Sequence, residues 1–188
     1  MKAISIIQGE HRNLGVTLLC FETLLQDIEG RRRAPDTMLF RAIITYIDTF
    51  LYRFHHPKED DYLFPALCRR YPAAGELINE LQNDHHNGTK LCQKLGEIIN
   101  LNEIADTGFA EFHQVALDYI RYERHHIGKE ETELLPLARE HLSESDWEPI
   151  NNAFSEHDDP MFGAKPKQRY KQLSSLITNV CIHGDVLL

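Results

Sequence analysis

The chain has 188 residues, of which 42% are hydrophobic and 26% are charged, the composition of an ordinary globular protein. This length fits one domain and would be cramped for two. The formal net charge is −9 at pH 7, which argues against a nucleic-acid-binding surface. Because no apolar stretch reaches the roughly 20 residues that cross a bilayer, we expect a cytoplasmic protein without a membrane contact.

Four long segments carry the alternating three- and four-residue spacing of apolar residues that predicts amphipathic helices. The first has one histidine in an apolar stripe: Ile4, Ile7, His11, Leu14, Leu18, Phe21, Leu25 and Ile28. A break at residues 30–35 follows, after which Asp36 is predicted to cap the second helix. The stripe of that helix becomes polar partway along: Phe40, Ile44, Ile47, Leu51, His55, Glu59 and Leu63.

The third and fourth helices repeat this pattern of an apolar stripe with polar insertions. The third is predicted from about Pro72, with His85 on its inward face. The fourth is predicted to open near Asp106 or Thr107, with His126 and Glu130 on its inward face. Each of the four stripes therefore carries at least one histidine.

Long helices joined by short links favour antiparallel neighbours. The sequence therefore predicts an all-α fold, an up-down-up-down four-helix bundle over residues 1–142 with a short C-terminal helical extension. Residues 143–188 are expected to form a helical tail that packs on the bundle. In this tail, residues 143–154 predict a short helix and residues 167–181 a last amphipathic one.

A repeated motif carries the chemistry of this chain, which contains eleven histidines. The pattern His-x3-Glu-x3-Leu-[Phe/Leu]-Pro occurs once from His55 and once from His126. Residues four apart share one face of a helix, so each copy presents an imidazole and a carboxylate, Glu59 or Glu130, to the same point.

An ionised carboxylate buried without a partner costs several kcal/mol, and no lysine or arginine lies on these stripes at the right level. A divalent cation would compensate. The four cysteines have no Cys-x-x-Cys spacing, and imidazoles with carboxylates suit iron or manganese. Carboxylates on opposite helices could bridge two ions.

These residues resemble the hemerythrin-like (HHE cation-binding) domains over residues 1–142. The matching motifs are Glu10-His11, His55-x3-Glu59, Asp84-His85 and His126-x3-Glu130, in that order. The resemblance implies two iron ions, with manganese or zinc as alternatives. Its implied metal ligands are His11, His55, Glu59, His85, His126 and Glu130, with the two glutamates bridging the ions.

The match is incomplete on the third helix. Oxygen-carrying members of the family take two histidines four residues apart from this helix, whereas position 89 is threonine. His56 could replace the missing ligand, because Pro57 is expected to distort the helix there. The alternative is that His56 caps a kink or faces solvent. With one nitrogen fewer than an oxygen carrier, the site is not expected to store oxygen reversibly.

Four further residues near the motifs have two interpretations each. His125 could exchange with His126 if the register changes. Glu123 and His126 form one Glu-x-x-His pair, but ferritin-like bundles need two, so Glu123 is expected at the helix surface or behind the ligands. Tyr52 or Tyr122 could donate a hydrogen bond to a metal-bound ligand or simply pack in the core. The other histidines are expected outside the ligand set: His86, His113, His141, His157 and His183.

The resemblance implies a protein that binds or senses a small ligand such as dioxygen, nitric oxide or peroxide. Two alternatives remain open, a di-iron enzyme that turns over peroxide or oxidises a small substrate, and a metal-stabilised interaction module that signals through its tail. The sequence does not distinguish a monomer from a homodimer.

Overall fold

The structure is a computed structural model that describes residues 2–32, 34–101, 106–156, 159–163, 168–171 and 173–175. These residues form helices and turns, with no strand among them. The prediction of an all-α fold is confirmed. Within the same ranges, no helix combines the length and apolarity that spanning a membrane would require.

Five helices make up the described chain. We number them α1 (Lys2–Glu29), α2 (37–70), α3 (Gly75–Leu101), α4 (106–141) and α5 (Glu144–Ser155). A 3-10 turn, Pro72–Ala74, leads into α3, and another, Gln168–Tyr170, lies in the tail. The predicted cap of α2 is confirmed, because the Asp36 side chain accepts a hydrogen bond from the Leu39 N–H at 3.0 Å.

Two of the long helices are interrupted by wider π-helical segments. In α2 these are Asp48–His55 and Glu59–Leu63, and in α4 the segment is Glu130–Leu134. Pro65 follows the segment Glu59–Leu63, and Pro136 follows the segment Glu130–Leu134, at the same spacing. Proline lacks an N–H and its ring crowds the preceding turn, so a locally widened helix can accommodate it. The repeated motif thus produces the same backbone distortion twice.

The expected distortion at Pro57 takes this π-helical form rather than a kink. His56 itself keeps helical dihedral angles, φ −56° and ψ −41°. The helix widens on both sides of the short α-helical turn His56–Lys58.

Two apolar clusters lie along the bundle with the polar level between them. α1 packs against α2 and α4, and α3 packs against the same two helices. One cluster contains Phe21, Phe40 and Phe112, and the other contains Ile7 and Phe64. In each of the four helices the inward histidine lies between residues of the two clusters. The candidate site therefore occupies a polar layer within an apolar core.

The tail packs on this core as far as it is described. Helix α5 packs along α1 and buries Trp147 and Phe154 in the second cluster. Buried Asp159 accepts hydrogen bonds from the Tyr46 hydroxyl and the Asn13 amide, both at 3.0 Å. Of the predicted last helix, Tyr170 and Leu173 are buried in the first cluster, and residues 176–181 lie outside the described residues.

The start of α5 is tied to α2 through Asp146. This carboxylate accepts hydrogen bonds from the Ser143 N–H at 2.9 Å and the Arg70 Nε at 2.7 Å. These hydrogen bonds lower the pKa of Asp146 to about 2 from an ordinary value of 3.8.

Replacing Asp146 with alanine should reduce the free energy of unfolding by about 1 kcal/mol at pH 7, because a cap is lost. Since the folded-state pKa is depressed, this contribution is present above pH 3.8 and is lost as the pH falls through about 2. The gap between variant and wild type in urea unfolding should close over that range. Glu148→Ala, at an exposed position of the same helix, is the control, and equal losses for the two variants would contradict the capping role.

Candidate metal centre

Seven buried polar side chains meet in the layer between the two apolar clusters. Five are imidazoles and two are carboxylates, and none is more than 5% exposed: His11, His55, His56, Glu59, His85, His126 and Glu130. Each of the four long helices contributes at least one of them. The structure thus brings together all residues that the sequence nominated.

These side chains form two neighbouring groups of potential ligand atoms. One group contains His11, His55, Glu59 and Glu130, and the other contains three imidazoles from α2, α3 and α4. Within each group, the ligand atoms lie within 4.8 Å of one another. The second group consists of His56, His85 and His126.

The two glutamates lie between the groups. Glu59 places Oε1 3.4 Å from the Nε2 of His55 and Oε2 3.6 Å from the Nε2 of His85. Glu130 places Oε2 3.1 Å from the Nε2 of His11 and Oε1 3.4 Å from the Nε2 of His126. Each carboxylate therefore directs one oxygen to the first group and its other oxygen to the second group, as a ligand that bridges two ions must.

Several of these atoms are buried without a hydrogen-bond partner. They include both carboxylate oxygens of Glu59 and Glu130, and the Nε2 atoms of His56, His85 and His126. Leaving such atoms buried and unpaired is costly, and most in folded proteins have a partner. Imidazole nitrogens and carboxylate oxygens directed at one another across a small space fit a pair of metal ions.

The two buried carboxylates differ in their proton affinity when no cation is bound. Burial and repulsion from Glu130 raise the pKa of Glu59 well above its ordinary value. Burial also acts to raise the pKa of Glu130, but the imidazoles of His126 and His11 outweigh it and lower that pKa. Without a cation, Glu59 and Glu130 are therefore more stable with one proton between them than with both carboxylates ionised. A metal ion would displace this proton.

The pKa values of the imidazoles are likewise set by burial and by the neighbouring charged groups. Burial acts to lower the pKa of His11, but Glu130 and Glu131 raise it to about 9. For His85, burial is likewise outweighed, and Asp60 and Glu130 raise the pKa to about 9. Burial, together with the neighbouring imidazoles of His85 and His126, lowers the pKa of His56 well below its ordinary value. His56 is thus a neutral imidazole, the form that can coordinate a metal.

His56 points into the site, which settles two expectations. Its ring stacks on that of His85, with centroids 3.7 Å apart and an angle of 9° between the planes. The alternative that His56 caps a kink or faces solvent is wrong. With His56 buried in this layer, five imidazoles converge on it instead of the four expected without His56. His125 is exposed, so His126 is the inward residue of that pair.

Glu123 is buried behind the three-imidazole group, so of its two expected positions the helix surface is wrong and the place behind the ligands agrees with the structure. It is 1% exposed and accepts a hydrogen bond from the Tyr52 hydroxyl at 2.6 Å. Tyr52 also lies 2.9 Å from the hydroxyl of Tyr119. Burial is the main reason that the pKa of Glu123 is raised. Tyr122 instead donates to Asp84 at 2.8 Å.

Lys58 is a buried residue that the sequence pattern did not indicate. Its ammonium group lies 3.7 Å from Oε1 of Glu10 and 5.0 Å from the centre of the Phe154 ring. Phe154 also contacts the ring of His55, with centroids 6.2 Å apart. Position 58 follows no inward stripe, and the acid that it faces comes from another helix, so no local signal identified it.

A small cleft reaches the three-imidazole group from the surface. It has a volume of about 240 Å³. Its lining includes two imidazoles of the site together with polar residues of α2 and α3: Tyr52, His56, Asp60, Gln82, His85 and Thr89. A small polar molecule could approach the site along this route.

The remaining described histidines lie away from the centre. His86 is exposed, and His113 and His141 are partly exposed. His141 stacks on Tyr71 with ring centroids 4.1 Å apart. His157 and His183 lie outside the described residues.

Comparison with known proteins gives one match. Residues 2–138 match the hemerythrin HHE cation-binding domain. No curated protein and no solved structure matches the chain.

Gly88 gives space to Glu123 and Tyr52, and its replacement tests how tightly this region is packed. A Cβ atom at position 88 would lie 2.6 Å from Glu123 Oε1 and 2.9 Å from the Tyr52 hydroxyl, whereas one at Gly96 would meet nothing within 4 Å. Gly88→Ala should therefore reduce the free energy of unfolding by about 1–3 kcal/mol through overpacking. Gly96→Ala, on the same helix, should be neutral or stabilising by up to about 1 kcal/mol. Urea unfolding of the metal-free proteins measures both, and a neutral Gly88→Ala would contradict the packing argument.

Proposed function

Because this chain belongs to the hemerythrin HHE cation-binding family, we propose that it binds two iron ions and, through them, a small ligand such as dioxygen, nitric oxide or peroxide. The observation that carries this proposal is the position of two buried glutamates. Glu59 and Glu130 each direct one oxygen to either group of imidazoles. A single ion would use only half of this arrangement.

In the proposed centre, His11 and His55 would hold one ion, and the three-imidazole group, His56, His85 and His126, would hold the other. The two glutamates would be shared by both ions. The donor set favours iron or manganese over metals that prefer thiolate ligands, with zinc as a further alternative. When bound, the metal pair supplies electrons and a coordination position for the small ligand.

The protein around the centre supports binding of such a ligand. The group with His11 and His55 offers one imidazole fewer than the other, so we place the small ligand there. Apolar clusters on both sides keep bulk water away from the layer. Five converging imidazoles also remove the reason for expecting that oxygen could not bind reversibly, and oxygen therefore stays among the proposed ligands.

We also retain the up-down-up-down topology and the division at residue 142 as part of the proposal. Contacts between α1 and α4 support antiparallel packing, since Gln8 meets Glu131 whereas Glu22 meets Arg124. Contacts between α1 and α2 support it too, since Glu10 meets His55 and Phe21 meets Phe40. The family match, which ends at 138, supports the division.

The metal content of the purified protein tests the centre directly. We expect two iron ions per chain by elemental analysis. Glu130→Ala, which removes a carboxylate shared by both groups, should lower the content below one ion per chain.

Glu133→Ala is the matched control, because this exposed acid lies on the same π-helical segment. It should leave the metal content unchanged. A wild-type ratio near one, or zinc alone, would contradict the di-iron proposal.

The small ligand is tested by optical spectra of the reduced, iron-loaded protein. Exposure to dioxygen, to nitric oxide and to peroxide should change the visible absorption with at least one of the three. A change that reverses when dioxygen is removed would assign a carrier role. Repeated consumption of peroxide would assign the enzyme alternative. No spectral change with any of the three would overturn the proposed ligand class.

A further inference from the structure

We propose that four carboxylates outside the ligand set form a ring around the centre, in which three orient an imidazole of the next helix by a hydrogen bond and the fourth faces its imidazole at a longer distance. The proposal rests on the proposed metal centre and extends it to four acids that supply no ligand. The four positioning carboxylates are Glu10, Asp60, Asp84 and Glu131.

Three of the imidazoles donate directly to a ring carboxylate. His55 Nδ1 lies 2.7 Å from Glu10 Oε2, and His11 Nδ1 lies 2.8 Å from Glu131 Oε1. His85 Nδ1 lies 3.0 Å from Asp60 Oδ2. An ionised carboxylate can only accept, so each Nδ1 must carry the proton. Nε2 is then the nitrogen that a metal ion can bind, once the ion has displaced any second proton from it.

The fourth contact is longer. Asp84 Oδ2 faces His126 Nδ1 at 3.6 Å, beyond hydrogen-bond distance. The same carboxylate accepts from the Lys129 ammonium at 2.9 Å and from the Tyr122 hydroxyl at 2.8 Å. Asp84 is thus fixed beside His126, but it holds that imidazole less tightly than the other three acids hold theirs.

The order of these contacts follows the order of the helices. The acid of α1 faces the imidazole of α2, that of α2 faces α3, that of α3 faces α4, and that of α4 faces α1. In sequence, each ring carboxylate is the immediate neighbour of a proposed ligand: Glu10-His11, Glu59-Asp60, Asp84-His85 and Glu130-Glu131. One two-residue unit per helix therefore supplies a metal ligand and orients the ligand of the next helix.

The arrangement has a direct chemical consequence. A carboxylate that accepts from Nδ1 fixes the tautomer and the ring orientation, and makes Nε2 a stronger donor to a metal. In this structure the Nε2 atoms of His11, His55, His85 and His126 are those directed at Glu59 and Glu130. The ring therefore orients His11, His55 and His85 for coordination before any ion binds, whereas Asp84 only faces His126.

His56 differs from the other four imidazoles. Its ring nitrogens, like those of His126, have no hydrogen-bond partner, but no ring carboxylate faces them, and His56 is held by stacking on His85. Its tautomer is consequently not fixed by a carboxylate. His56 also lines the cleft that opens to the surface.

The strength of each ring contact follows from its distance and burial. Glu10 has the shortest contact and a side chain only 7% exposed, whereas Glu131 is 30% exposed. Water screens the more exposed acids. We therefore expect Glu10 to contribute most to metal retention and Asp84, with its 3.6 Å contact, to contribute least.

The test measures the rate at which the iron-loaded protein loses iron to an excess of chelator, together with its visible spectrum. Glu10→Leu and Glu131→Leu should each accelerate iron loss about 10- to 100-fold, the usual effect of removing such an outer partner. Glu10→Gln and Glu131→Gln keep an acceptor for Nδ1 and should give intermediate rates. Because Glu131 is partly exposed, its variants keep the test valid even if Glu10→Leu fails to fold.

Asp61→Asn and Glu133→Gln serve as controls, since both are exposed acids next to the ring positions. They should lose iron at the wild-type rate with unchanged spectra. Equal rates for Glu131→Leu and Glu133→Gln, in proteins that load two iron ions, would overturn the ring while leaving the metal centre intact. A wild-type protein that loads no iron would overturn both proposals.

Discussion

Two carboxylates buried at the same level of a helical core are the constraint on which the rest of this structure depends. Glu59 and Glu130 are 0% exposed and lie between two apolar clusters. Like charges at this separation cannot both persist in such a medium without compensation. The five surrounding imidazoles lessen the cost, and a pair of cations would remove it. Every helix of the bundle contributes to that compensation.

The fold and most of the centre could be predicted from the sequence because both follow from helical periodicity. A three-to-four-residue spacing places His11 and His85 among apolar neighbours, and His-x3-Glu places a ligand pair on one face. Such patterns need no knowledge of the partner helix. They were sufficient to nominate six of the seven converging side chains, with His125 left as an alternative to His126.

The inward position of His56 could not be predicted, because the backbone around it departs from regular α-helical periodicity. Adjacent residues on an α-helix point about 100° apart, so His55 and His56 would not be expected to face the same centre. The π-helical segments on both sides of His56 change this relation. The prolines that follow Glu59 and Glu130 at equal spacing were the available signal. The contacts of Glu10, Lys58 and Glu123 were not predicted for another reason, since they are made with residues of other helices.

Residues of the C-terminal tail contact side chains of the candidate metal centre. Phe154 lies beyond the family match, which ends at 138, yet it contacts both His55 and Lys58. The segment that carries it is held by Asn151, which accepts from the N–H of Ala3 at 2.7 Å, and by Asp159. The two-imidazole half of the site is thus covered by a part of the chain that supplies no ligand.

The contact between His11 and Glu131 spans 120 residues, and this separation bears on how the protein is made. Synthesis proceeds from the N-terminus, so α1, α2 and α3 are made before Glu130. Until α4 is made, their histidines and Glu59 have no complete partner set. In the proposed centre, binding of both ions would therefore follow the synthesis of α4, and without metal the two buried glutamates would share a proton instead.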